Sequence, residues 1–81
     1  MILTPEMEDI IEENFEGSCD WCEDPIARKE IFAIVELEKV SKDGYGRITQ
    51  PYQFLCSEFC RNRLVTWHTE YGAFDYKKEV I

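Results

Sequence analysis

Two short stretches decide how this chain reads: Cys19-Asp20-Trp21-Cys22 and Phe54-Leu55-Cys56-Ser57-Glu58-Phe59-Cys60. They hold all four cysteines of the 81-residue chain, as two pairs separated by 33 residues. A two-residue gap lets a tight turn aim both sulfurs at one point, and a three-residue gap on a helix stacks them one turn apart on the same side. Two such half-sites brought together by the intervening chain make a tetrahedral four-sulfur site, the arrangement zinc prefers. The first turn of a helix also carries partial positive charge, which favours the thiolate needed for ligation. One structural zinc ion on Cys19, Cys22, Cys56 and Cys60 is therefore the expectation.

Other readings of the cysteines fit less well. Structural disulfides suit secreted proteins, and the opening Met1-Ile2-Leu3-Thr4-Pro5-Glu6 lacks the basic end and long apolar stretch of an export signal. A redox dithiol needs one pair and leaves the second unexplained. Iron–sulfur clusters also take four thiolates, but at different spacings. Unligated buried cysteines give no reason for a double pairing.

Outward from the cysteines, the pattern gives a coarse order of elements. Between the pairs, residues 30–40 are rich in β-branched and aromatic types and predict a strand. Ser41-Lys42-Asp43-Gly44-Tyr45-Gly46 is a turn by composition, and residues 47–55 read as the returning strand, which Pro51 restricts to an edge or a bulge. After Cys56, Ser57 is a good helix cap. Cys60, Leu64, Trp67, His68 and Tyr71 then share one face until Gly72, which predicts a helix over 57–70. Before the first pair, Thr4-Pro5-Glu6 reads as a helix start. Met7, Ile10, Ile11 and Phe15 form an apolar stripe opposite Glu6, Glu8, Asp9, Glu12, Glu13 and Glu16, predicting an amphipathic helix over 5–15. The tail, residues 73–81, is apolar enough to be a short strand or a partner-binding segment. The expected organisation is thus an acidic amphipathic helix (1–17), a zinc-binding domain (18–72), and an aromatic tail packed on the domain or on a partner (73–81).

A knuckle with a two-spaced cysteine pair, then a hairpin, then a helix bearing the second pair resembles the treble-clef zinc fingers, a small α+β fold. The run from Phe54 to Cys60 resembles the aromatic-Cys-Ser-Glu-x-x-Cys stretch of the TRASH and MYM-type fingers, and Cys19 to Cys22 with Asp24-Pro25-Ile26 matches their knuckle half. A similar stretch occurs in the small bacterial zinc proteins that inhibit DNA gyrase. The resemblance spans residues 19 to about 67 and implies a fold and a metal, with the four cysteines as ligands. The spacer here is longer than in the gyrase inhibitors, and the acidic helix precedes the knuckle, so partner-contacting residues do not carry over.

Composition narrows the function classes. A chain this small buries little apolar surface and needs a staple. The longest apolar run, Ile31 to Val35, has five residues, against the roughly 18 to 20 of a membrane span, so a soluble cytoplasmic protein is expected. The net charge of −8 disfavours nucleic acid and suits a protein partner, with the zinc module acting as a small acidic regulator or inhibitor. Trp21, Tyr71, Phe74 and Tyr76 are the aromatic candidates for that contact. Of these Trp21, inside the knuckle, is expected to be exposed, and Trp67 is expected in the core. Arg61 and Arg63 are the candidate contacts if the chain instead binds nucleic acid. Hydrolytic catalysis is not expected: four sulfurs close the metal shell, and a single histidine, His68, lies two helical turns beyond Cys60, about 11 Å away.

Overall fold

In the computed structural model, which describes residues 4–81, the strand β1 (Ala33–Leu37) is the centre of the molecule. All five of its residues are buried, as expected for a nearly continuous aliphatic run lying between two layers. β2 (Tyr52–Leu55) pairs with one edge of β1 and β3 (Tyr76–Glu79) with the other, both antiparallel, giving the order β2-β1-β3. The register sets Ala33 opposite Leu55 and Ile34 opposite Phe54 on one side, and Glu36 opposite Lys78 on the other.

The period of two along β1 sorts the core into two layers. Ala33, Val35 and Leu37 pack with Leu55, with Leu64 of the helix α2 (Glu58–Glu70), and with Cys19 and Cys60. Ile34 and Phe54 pack with Ile10 and Ile11 of the helix α1 (Pro5–Asn14) and with Ile31. The two helices therefore cover opposite faces of one three-stranded sheet, and the cysteines lie in the α2 layer. The fold is α+β, in the expected order of knuckle, hairpin and cysteine-bearing helix.

Both helices start where the sequence places a cap. The Met7 amide donates to Thr4 Oγ1 (3.2 Å) with Pro5 opening α1, and the Cys60 amide donates to Ser57 Oγ (3.2 Å) at the head of α2. The far end of α2 is held from outside: Lys42 Nζ donates to the carbonyls of His68 (2.7 Å) and Thr69 (2.9 Å). A cation thus satisfies acceptors that a helix C-terminus leaves open.

Several expectations change in detail. The first strand begins at Ala33, because Arg28–Glu30 form a turn of 3₁₀ helix, with Glu30 Oε1 accepting from the Ala27 amide (2.7 Å). The returning strand begins at Tyr52, just after Pro51, whose carbonyl accepts from the Leu37 amide (2.9 Å). Ahead of it the chain makes only an isolated bridge between Val40 and Arg47. The tail supplies β3 along β1, with an irregularity between Glu36 and Leu37. Lys77 and Lys78 of that strand stand 3.4 and 3.9 Å from Glu36, the one buried carboxylate among the described residues.

Trp67 is not a core residue. It is 45% exposed, and Tyr71 is 75% exposed. The buried row of α2 runs Cys60 to Leu64 and continues at half-buried His68, a strict four-residue step, so positions 67 and 71 turn toward solvent.

Candidate metal centre and the surface beside it

The knuckle is built by backbone hydrogen bonds around two residues with left-handed φ. Cys19 donates to Asp24 O (3.0 Å), Glu23 to Cys19 O (3.0 Å) and Ile26 to Gly17 O (3.0 Å). Gly17 has φ 89° and Glu23 has φ 65°, a conformation that costs a residue with a Cβ. Asp20 ties this turn to the sheet: its amide donates to Phe54 O (2.8 Å), and its carboxylate accepts from the Phe54 amide (2.6 Å). That pair of hydrogen bonds brings Cys19 and Cys22 beside Cys56, which follows β2 directly. Cys56 precedes the Ser57 cap and so lies outside α2; Cys60 alone of its pair sits in the helix's first turn.

The four sulfurs lie within 4.8 Å of one another, with Cys22 to Cys56 at 3.6 Å and Cys56 to Cys60 at 3.7 Å. Ligands about 2.3 Å from a central zinc stand about 3.8 Å apart in a tetrahedron, so these separations fit one ion. No two sulfurs are bonded to each other. Cys19 and Cys60 are buried, Cys56 is half-buried and Cys22 is exposed, so the site opens to solvent on the knuckle side.

The charge balance agrees with the spacing. Burial alone pushes the Cys19 thiol up, but the backbone amides of Cys22, Trp21 and Cys56 and the Cys22 thiol outweigh it and bring it down to about 7. Cys56 is pushed up to about 12, by burial first and then by Cys22, Cys19 and Cys60. Cys22 is also raised: the Asp24 backbone pulls it down, while desolvation and the neighbouring thiols Cys19 and Cys60 push it up. One thiolate forms readily and then discourages the others. Four thiolates at this separation need a cation among them, and a divalent metal ion would supply it. Asp20 is raised by burial, against the amide of Phe54 that it accepts from.

His68 takes no part in the sulfur cluster. Its Nδ1 lies 3.1 Å from Phe74 O, and its ring stands edge-on to Trp67, with centroids 4.9 Å apart. Burial lowers its pKa.

The other residues singled out in the sequence fall into two groups. Trp21 (36% exposed), Arg63 and Tyr71 meet along one groove of about 370 Å³ on the outer side of α2, where Phe59 and Trp67 complete the walls. Arg61 instead turns toward β3, with Nε 3.7 Å from Glu79 and Nη2 4.0 Å from Glu58. Phe74 and Tyr76 are half-buried against the α2 layer of the core. Sequence reasoning missed Phe59 and Trp67 as neighbours of Arg63. The signal was the step 59, 63, 67, which lines three large side chains along one flank of α2, about a quarter turn round from the Cys60–Leu64 row.

No helix among the described residues is long and apolar enough to cross a membrane. Comparison with known proteins returns nothing significant: no family model, curated protein or solved structure matches this chain. The metal-binding side of the motif resemblance rests on the cysteine geometry, and no family match supports a TRASH-type or gyrase-inhibitor assignment.

Proposed function

We propose that this chain is a structural-zinc interaction module, a small acidic regulator or inhibitor that docks on another protein. The observation that carries the reading is the closed sulfur cluster. All four cysteines converge on one point, which suits zinc in a tetrahedral thiolate shell and leaves no metal position for a substrate or a water nucleophile. The ion then acts as a staple for a small core, and function falls to the surface. The net charge of −8 and the exposed aromatic side chains beside the knuckle suit contact with a protein bearing basic and apolar patches.

The metal half is tested by metal analysis of protein purified without added metal, with circular dichroism before and after chelation. One zinc per chain and loss of structure on chelation are expected; a metal-free chain with an unchanged spectrum refutes the reading. The docking half is tested by photo-crosslinking from an aromatic analogue at position 21 in cells, where discrete protein adducts are expected and their absence counts against it. Nucleic acid is the weaker reading, because Arg61 is engaged by Glu58 and Glu79. Retention on DNA or RNA that falls steeply between low and moderate salt would reverse that ranking.

A further inference from the structure

The groove along α2 differs from the rest of the surface in charge as well as in shape. The chain carries 17 acidic residues against nine lysines and arginines, yet no carboxylate lines this groove and one guanidinium does. The acid is concentrated elsewhere: Glu6, Glu8, Asp9, Glu12 and Glu13 stand exposed on α1, on the far side of the sheet. Arg63 is held over the Phe59 ring, its guanidinium carbon 5.1 Å from the ring centroid, and it makes no ion pair among the described residues. Arg61 is engaged by two carboxylates, Lys77 and Lys78 by Glu36, and Lys42 by the end of α2, while Arg28, Lys29, Lys39 and Arg47, which also make no ion pair among the described residues, lie outside the groove.

A guanidinium stacked on an aromatic face keeps its hydrogen-bonding edge free and has already lost much of its rotamer freedom. Trp21 and Trp67 wall the groove beside it, and Asn62 and Thr66 add the polar groups an extended backbone uses. From Phe59 to Tyr71 the helix rises about 18 Å, the span of five or six extended residues.

We propose that this groove binds a short linear segment of a partner protein, extended, with bulky apolar side chains flanking one carboxylate that pairs with Arg63. The inference rests on the protein-docking reading above and names the chemistry of the bound segment. A peptide is favoured over single-stranded nucleic acid by charge count. One free cation in a wall otherwise neutral matches one carboxylate, whereas a phosphate backbone calls for a track of several cations.

The test uses the metal-loaded full chain and a displayed library of random seven-residue peptides, followed by titration of the winning synthetic peptide observed through backbone amide NMR shifts. Enrichment of peptides with one Asp or Glu beside large apolar residues is expected, with shifts confined to the knuckle and α2. Arg63→Gln should weaken the selected peptide about tenfold, and Trp67→Ala by at least as much. Arg63→Glu should invert the selection, so that the peptide with its acid changed to Lys binds the variant better than the parent peptide does. Arg63 is exposed, so these variants keep the fold. Enriched peptides with no acidic preference, or a preference unmoved by Arg63→Glu, overturn the carboxylate pairing. Shifts centred on α1 or β3 overturn the groove while leaving the docking reading intact. A library that yields nothing overturns this inference and leaves the docking reading to its cross-linking test. Tighter binding of oligo(dT) than of any peptide overturns both.

Discussion

Replacing Gly72 by alanine tests the packing at the end of α2 most sharply. A glycine just past a helix usually serves a left-handed φ, but Gly72 is not among the residues with positive φ, and its amide donates to Trp67 O (2.9 Å), five residues back, in a wide closing turn. On backbone grounds alone, alanine here should be neutral or stabilise by about 0.4–1 kcal/mol through the unfolded chain. The surroundings reverse the sign. An added Cβ meets His68 Nδ1 at 2.7 Å, Trp67 Cζ3 at 2.9 Å and the His68 Cα at 3.0 Å. The last is backbone and cannot swing aside, and moving the His68 ring breaks its contact with Phe74 O at 3.1 Å. Overpacking of this kind costs about 1–3 kcal/mol, and the lost hydrogen bond adds about 1 kcal/mol. Gly72→Ala should therefore destabilise the metal-loaded protein by about 2–4 kcal/mol, a fall in Tm of order 10–20 °C for a domain of this size. Denaturant melts of the wild type, Gly72→Ala, His68→Ala and the double variant form the cycle. The alanine should cost at least 1 kcal/mol less once the imidazole is gone. A stabilising Gly72→Ala, or a cost unchanged by His68→Ala, would refute the packing argument.

Three further outcomes are expected. Metal affinity should fall more than tenfold per pH unit below neutrality, because protons compete for sulfurs of which Cys22 and Cys56 hold theirs tightly; competition with a chromophoric chelator between pH 5 and 8 reads this out, and a flat profile would contradict thiolate ligation. Lys42→Met should lower stability by about 1 kcal/mol, since it strips two carbonyls at the end of α2 of their cationic donor, as measured by urea unfolding. Glu23→Gly should raise stability by about 0.5–1 kcal/mol by relieving a left-handed backbone at φ 65°, and a loss of stability would place an unrecognised role on the Glu23 side chain.

The parts of the fold that were legible in the sequence are those set by local chemistry. Thr4 and Ser57 cap their helices because a hydroxyl at that position meets free amides, and the paired cysteines mark a shared centre because their spacing leaves few other geometries. What was not legible depends on distant partners. The sequence of α2 alone does not say which row turns inward; Leu64 and Cys60 do so because β1 and the knuckle lie there, and Trp67 is left outside. The tail reads in the sequence as a short strand or a partner-binding segment, and it is the open edge of β1 that selects the strand. Asp20 carries no local signal for its tie to Phe54, which exists only once the knuckle is folded onto β2.

The placement of β3 has a consequence for biogenesis. All four cysteines precede it in the chain, so the knuckle, hairpin and α2 emerge during synthesis while one edge of β1 is still open. An unpaired apolar strand is a template for pairing with other chains, and every residue of β1 is buried in the folded chain. The last strand to be made thus acts as a guard on the sheet. A nascent or proteolytically clipped chain lacking residues 76–79 would be able to assemble its sulfur site and still be prone to self-association along β1.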